Sequence, residues 1–452
     1  MNNGKQYLLG LLTIILTLNY TERVALGMAA QNVKVDLSLS DTQLGLLSGI
    51  AFALFYSVMG IPIARWADRG NRVTIIWLST ALWSATVALC GIARSFLQLL
   101  LMRVVVGVGE AGCIPPAHSL IADFFTRAER PRAVSLYMQG VAVSSVIGYF
   151  VAGWLNQFYG WRAMFVLIAL PGFVLAAVAR FTLREPRRGS FTVEAAASLP
   201  SPLSTKDVCA SLWARATFRH VLCGFSVTCF FSSGTTQWGP VFFVRSFGLQ
   251  TGELGTWFAV VVGLGSVVGT YLGGEWAARC AANNERLQLY AMAILICLSG
   301  IFAAFAYLPV LAPNYYWAFG WLALSNAAAA ATNGPTFGVL QTLVPARMRA
   351  MSIALVLLFI NLVGSGLGPW AVGALSDGLR PWASEESMRY AMLLMCPVCL
   401  WGTWHLWSAS RVVAHDLKID ETESAARSSA AQQRADSGMI SNCGSLCERS
   451  AR

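Results

Sequence analysis

The stretch Arg103-Val104-Val105-Val106-Gly107-Val108-Gly109-Glu110-Ala111-Gly112 sets two ionisable side chains into sequence otherwise apolar enough to cross a bilayer. Glu22-Arg23 does the same within an earlier apolar run. A charge in hydrocarbon costs ~2.5–3.5 kcal/mol by the lower estimates, so such residues face a protein-lined path and handle protons or solutes. A rival reading starts from Gly107, Gly109 and Gly112, which have dinucleotide-binding spacing. That motif needs a strand before it and a helix after it, whereas this segment lies inside a membrane-length run. Small residues here serve close helix approach instead, and a membrane transporter is the leading reading.

Composition agrees. Of 452 residues 56% are hydrophobic and 12% charged, with mean hydropathy +0.58. A soluble globular chain is about 25% charged, so an ordinary soluble enzyme is excluded. Membrane-length apolar stretches of ~20 residues fall near 8–31, 43–64, 73–93, 96–119, 133–155, 161–182, 217–244, 252–276, 287–308, 314–342, 350–375 and 388–410. They are continuously apolar, which favours helices over the alternating strands of a barrel. The expectation is an all-α membrane protein of twelve transmembrane helices in two pseudo-symmetric six-helix bundles.

The formal charge of +10 sits in alternate loops. One set carries Arg65, Arg69 and Arg72, then Arg127, Arg130 and Arg132, then Arg184, Arg187 and Arg188, with further Arg at 279, 286, 347 and 349. The positive-inside rule places that set, and both termini, in the cytoplasm of a cell-membrane protein. The basic balance thus reports topology and not nucleic acid. The first apolar run is too long for a secretory signal and contains Glu22 and Arg23, so it reads as uncleaved. The cysteines scatter through the spans. Cys396-Pro397-Val398-Cys399 has redox-motif spacing, but such chemistry needs partial exposure, and buried thiols are expected. His118, His220, His405 and His415 form no ligand spacing, so neither a metal nor a cofactor is expected.

Residues 1–182 read as the first bundle, 183–216 as a cytoplasmic linker, 217–410 as the second bundle and 411–452 as a disordered tail. The halves echo one another. Trp66-Ala67-Asp68-Arg69 matches Trp276-Ala277-Ala278-Arg279, Arg132-Ala-Val-Ser135 matches Arg349-Ala-Met-Ser352, and Gly148-Tyr-Phe-Val-Ala-Gly153 matches Gly368-Pro-Trp-Ala-Val-Gly373. Internal repetition of helical bundles is how alternating-access carriers are built.

Arg103 and Glu110 are seven residues apart, so they share one helix face roughly 10 Å apart along the axis. From a cytoplasmic start near Tyr7, Glu22 lies about 22 Å along a helix crossing a ~30 Å core. Arg103, on a helix running the other way from Phe96, lies about 10 Å below the outer surface. Similar depth predicts that Glu22 and Arg103 meet, leaving Arg23 and Glu110 as the second pair. A static, purely structural pairing is the bland alternative to proton coupling or solute binding. Asp68, Arg69 and Arg72, at the end of the second span, read as a gating loop, because an anion there can pair with Arg or with a neighbouring helix N-terminus. Solvated loop charges serving topology are its alternative. Asn326, Asn333 and Asn361 read as helix–helix hydrogen bonds or cavity donors, and Trp238, Phe242 and Phe243 as packing.

Asn19-Tyr20-Thr21-Glu22-Arg23, Asp68-Arg69-Gly70-Asn71-Arg72, Arg103 through Gly112, Ile121-Ala122-Asp123-Phe124-Phe125, Gly160-Trp161-Arg162 and Arg184-Glu-Pro-Arg-Arg-Gly189 resemble the major facilitator superfamily, and within it the spinster-like branch. The resemblance spans roughly 8–410 and is stronger in the first half. It implies a central amphipathic cavity, proton-linked alternating access, and roles for Glu22, Arg23, Arg103 and Glu110. Two positions depart from the family pattern: Glu22 stands where Asp is usual, and Ala64 where Gly is usual. The resulting expectation is a monomeric, proton-coupled secondary carrier of a lipid-like or hydrophobic organic amphiphile, in contact with membrane lipids. The alternative is organic-anion (sugar-acid or aromatic-acid) symport with protons. A carrier-fold sensor and an enzyme are the outside readings; no nucleophile–base motif lies in a span.

Overall fold

A computed structural model describes residues 3–126, 129–186, 205–281, 284–343 and 349–416, and among these every regular element is helical. In the first half α1 (Asn3–Leu37) is followed by α2 (Asp41–Ser48) and α3 (Ile50–Arg69), which form one rod. Then come α4 (Arg72–Cys90), α5 (Phe96–Glu110), α6 (Ile114–Phe124) and α7 (Arg130–Thr182). In the second half α8 (Thr205–Ala214) occupies part of the expected linker, and α9 (Ala216–Phe247) follows. The rod of α10 (Thr251–Phe258) and α11 (Gly265–Cys280) is interrupted by a π-helical turn, Ala259–Leu264. After α12 (Glu285–Tyr307), α13 (Tyr315–Ala330) and α14 (Asn333–Thr342), a second π turn, Ile360–Leu367, separates α15 (Arg349–Phe359) from α16 (Gly368–Ala383). Finally α17 (Ser387–Met395) leads into helical residues 398–416.

Among the described residues eight helices are long and apolar enough to cross a membrane, and two of these run 51 and 62 residues. Each of the two is more than twice the ~20 residues of one crossing, and each contains a break: Gly160 at φ 76° in α7, Ser384 at φ 47° after α16. Neither α9 nor the α13–α14 rod is among the eight. In α9 the reason is local, since Ser232, Ser233, Thr235, Thr236 and Gln237 interrupt its apolar middle. The whole is consistent with the twelve expected crossings.

Helix starts are written in the sequence. Ser40 and Gln43 form a reciprocal capping box on α2, Asn71 caps α4 and Ser95 caps α5, each satisfying backbone N–H groups that the first turn leaves free. Between helices lies an apolar core containing Leu16, Trp83, Phe242 and Phe319. Large apolar side chains also stand on the perimeter, such as Phe158 at 66% and Val174 at 61% exposure. In water such a surface would aggregate; against lipid it is the natural exterior.

The ends of the molecule differ. Lys5, Glu129 and Thr182 mark the terminal end, where Lys5 donates to Glu129 and Tyr7 to Thr182. At the opposite, far end the halves pack through small residues. A Cβ on Gly49 would collide with the Gly366 carbonyl, and one on Gly153 with the Thr251 carbonyl. Gln157 donates to Gln250 at 2.7 Å, again across the halves. Among the described residues the close helix pairings between halves join α2 to α16, α7 to α10, α3 and α7 to the π turns, and α1 to α9. These draw the far end and the middle together.

Candidate functional site

The first half supplies the charges. Arg103 on α5 is 2% exposed, and its Nη1 donates to Glu22 Oε1 at 2.7 Å. Arg23 Nε donates to Glu110 Oε2 at 2.7 Å, with Nη2 2.6 Å from the same oxygen. Both pairings are those expected from helix depth. Glu22 and Glu110 are fully buried. Each keeps one carboxylate oxygen, Glu22 Oε2 and Glu110 Oε1, without a hydrogen-bond partner. Aromatic faces hold the cations: Arg23 lies 4.2, 4.6 and 4.9 Å from the ring centres of Tyr20, Phe52 and Tyr56, and Arg103 lies 5.3 Å from that of Phe52. Such stacking is worth about 2 kcal/mol or more when desolvated. Removing one member of a buried pair strands its partner at a cost of ~3–5 kcal/mol.

Beside this quartet is a cavity of about 350 Å³ between the halves. Tyr20, Arg23, Phe52 and Arg103 line one wall, and Ser233, Gln237 and Ser365 the other. Glu22 and Glu110 do not reach it; the arginines stand between them and the space. A second cavity of about 290 Å³ lies within the second half, lined in part by Thr228, Ser266, Asn326 and Thr336, and the two share Ser232. The hydroxyl row of α9 is thus a cavity wall. Sequence reading passed over it, although five polar residues in the middle of an apolar span were its signal.

At the far end, Asp41 at the start of α2 ties together groups distant in sequence. It accepts from Arg245 Nη1 and Nη2 at 2.8 and 2.7 Å, from Lys34 at 2.5 Å and from Ser376 at 2.7 Å. Asp377 on α16 accepts from Asp41 N at 3.1 Å, Thr42 N at 2.7 Å and Thr42 Oγ1 at 2.6 Å, capping α2 from the opposite half. This latch also went unread.

The gating residues are placed only in part. The side chains of Asp68 and Arg69 lie outside the described residues. Arg72 is buried within the first half: Nε donates to Glu185 at 2.8 Å, Nη1 to Ser119 Oγ at 2.9 Å, and Nη1 lies 2.6 Å from Asp123. Glu185 also accepts from Arg72 N and Val73 N, capping α4. Of the asparagines, Asn326 donates to Val262 O at 3.0 Å and to Ser266 at 2.9 Å, and Asn361 donates to Leu357 O. Trp238, Phe242 and Phe243 are core, and Trp238 Nε1 donates to Pro369 O. Cys396 and Cys399 are buried. His220 and His405, 185 residues apart, meet Nδ1 to Nδ1 at 3.0 Å. Among the described residues no cluster of three His, Cys, Asp or Glu has metal-binding geometry.

The family model of the Major Facilitator Superfamily matches residues 12–369. The chain belongs to that superfamily. It is 30% identical over 413 residues to an MFS-type efflux pump of Mycolicibacterium smegmatis, covering 90% of this chain and 93% of the pump. It is 28% identical over 428 residues to protein spinster homolog 1 of Homo sapiens, covering 86% and 77%. The crystal structure of a bacterial homolog of the human lysosomal transporter Spinster, inward-facing and unoccupied, superposes with TM-score 0.81 at 30% identity, covering 92% of this chain and 99% of that one. The protein is therefore a multi-pass membrane transporter of the superfamily, of the spinster-like type.

Proposed function

We propose that the protein is a proton-coupled secondary carrier that moves an organic amphiphile across the cytoplasmic membrane by alternating access, with both termini in the cytoplasm. The observation that carries this reading is the crossed quartet Glu22–Arg103 and Arg23–Glu110, whose two arginines line the cavity between the halves with the buried carboxylates behind them. Four charges in such a place are costly unless used. The partnerless oxygens of Glu22 and Glu110 are sites where a proton can sit without breaking a hydrogen bond. Protonating either carboxylate loosens its arginine, and the freed guanidinium turns to the cavity it already lines. Rocking of the halves then exchanges one open face for the other. In this reading the far-end contacts of Asp41 and Asp377 close the outer face, and the cytoplasmic face is the one that admits the solute. Asp68 and Arg69 would secure that face in the opposite state, while Arg72 braces the loop from within the first half.

At ~100 mV one inward proton supplies about 2.3 kcal/mol, roughly fifty-fold of solute gradient. The test is flux in proteoliposomes under an imposed pH gradient, with a panel of lysolipids, organic acids and drugs in counterflow to find the solute. Glu22→Gln is expected to abolish proton-driven flux while expression stays normal. Wild-type flux indifferent to the gradient rules the coupling out. Arg23 favours a second reading: with 21% of its side chain exposed beside the cavity, it suits an organic anion carried together with the proton.

A further inference from the structure

Resting on the carrier reading, we infer that Gln237 is the side chain with which the second half grips the solute, and that the solute presents a hydrogen-bond acceptor on an apolar body. The first half's cationic groups on the cavity wall are already committed, Arg103 to Glu22 and Arg23 to Glu110. Until a proton is taken up, a solute drawing on either guanidinium strands a buried carboxylate. The second half offers only neutral groups. Of these, Ser233 Oγ lies 3.5 Å from Ser365 Oγ and 3.4 Å from Cys229 Sγ, so this part of the wall is partly self-satisfied.

Gln237 is different. Its side chain lines the cavity, yet its amide nitrogen is buried with no hydrogen-bond partner. An unmet buried donor is expensive, and native structures keep few of them. The nitrogen rests against α1, where a Cβ on Gly27 would stand 3.2 Å away. It has no acceptor on α1, and a rotation of the side chain about its own bonds would carry the amide over the cavity that Gln237 lines. A carbonyl, carboxylate or phosphoryl oxygen there satisfies the amide, while an ammonium head does not, because it brings only donors. The rest of the wall fits an apolar body: Val24, Leu26, Phe52 and Pro369 line the first cavity, and Phe225, Leu357 and Ile360 the second. Because the cavity beside Gln237 is lined from both halves, a solute held there touches both, which is the position from which binding can bias their rocking.

The test compares three probes with one body: N,N-dimethylbenzamide (neutral acceptor), benzoate (anionic acceptor) and benzylammonium (donor only). Binding to the full chain in lipid nanodiscs is read by calorimetry and saturation-transfer NMR. The wild type is expected to bind both acceptor probes saturably and benzylammonium at least tenfold more weakly. Gln237→Leu should weaken the acceptor probes at least tenfold. Gln237→Asn keeps the donor on a shorter arm and should lose less, so a merely structural role is separated from recognition. Equal affinity in wild type and Gln237→Leu overturns the inference, as does preference for benzylammonium or absence of saturable binding by both acceptor probes. These are equilibrium readouts. Failure of proton coupling in the flux assay would leave the split among probes intact, so the two readings fail separately.

Discussion

Replacing Asp377 by Ala removes the carboxylate that caps α2 from the opposite half. The three hydrogen bonds lost are those from Asp41 N, Thr42 N and Thr42 Oγ1. An N-cap is worth about 1 kcal/mol, and an anion at a partly buried helix N-terminus adds up to about 1 kcal/mol more. Both contributions exist only while the far ends touch, so their loss falls on the far-closed state alone. About 2 kcal/mol is roughly a thirty-fold change in the ratio of the two states. A population near 100:1 becomes about 3:1. Asp377→Asn keeps an acceptor at the cap and should shift the ratio less than tenfold. Double electron–electron resonance between spin labels at Phe158 and Val310 reads the separation directly; both sites are exposed, at 66% and 88%, and belong to different halves. The expected result is a new long-distance population in Asp377→Ala, smaller in Asp377→Asn. Identical distance distributions in all three proteins would refute the assignment of Asp377 to the latch.

Two further outcomes follow from contacts within the first half. Glu185→Gln should lower the thermal midpoint by several degrees, because it weakens the Arg72 pair and the α4 cap together; an effect of about 1–3 kcal/mol is expected for a charged hydrogen-bonded group, and an unchanged melt would count against the clamp. At the terminal end, outside the spans, the Lys5 ammonium and then the Thr126 N–H hold the Glu129 carboxyl down at about 2. A depressed folded-state value means the contact contributes above the ordinary carboxylate range and is lost as pH falls toward about 2. The melts of wild type and Glu129→Gln should therefore differ near neutrality and converge in acid; a gap that widens on acidification would reverse the sign.

The membrane made the central quartet readable before any coordinates. A helix rises ~1.5 Å per residue through a slab of fixed thickness, so Glu22 and Arg103 could be ranked by depth and matched, and Arg23 and Glu110 fell out as the remainder. No such ruler exists at helix ends. Asp41, Arg245 and Asp377 meet because of how the bundles tilt, and sequence separations of 204 and 336 residues conceal it. Arg72 reads from sequence as part of the same loop as Asp68 and Arg69. Its partner Glu185, 113 residues away at the start of the linker, is not visible at that level. The Ser/Thr/Gln run of α9 was legible as composition, but whether it faced a neighbour, lipid or a cavity depended on helix rotation, which no pattern in that single span supplied.

The two π turns, Ala259–Leu264 and Ile360–Leu367, both belong to the second half, and both lie where it touches the first, against α7 and α3. A π turn holds surplus backbone in a looser ladder than the α-helix around it. Among the described residues the first half has no equivalent; its partners at these contacts are continuous α-helix. Compliance is thus unequally shared across the pivot. In the proposed rocking of the bundles, one would behave as the stiff anvil and the other as the spring.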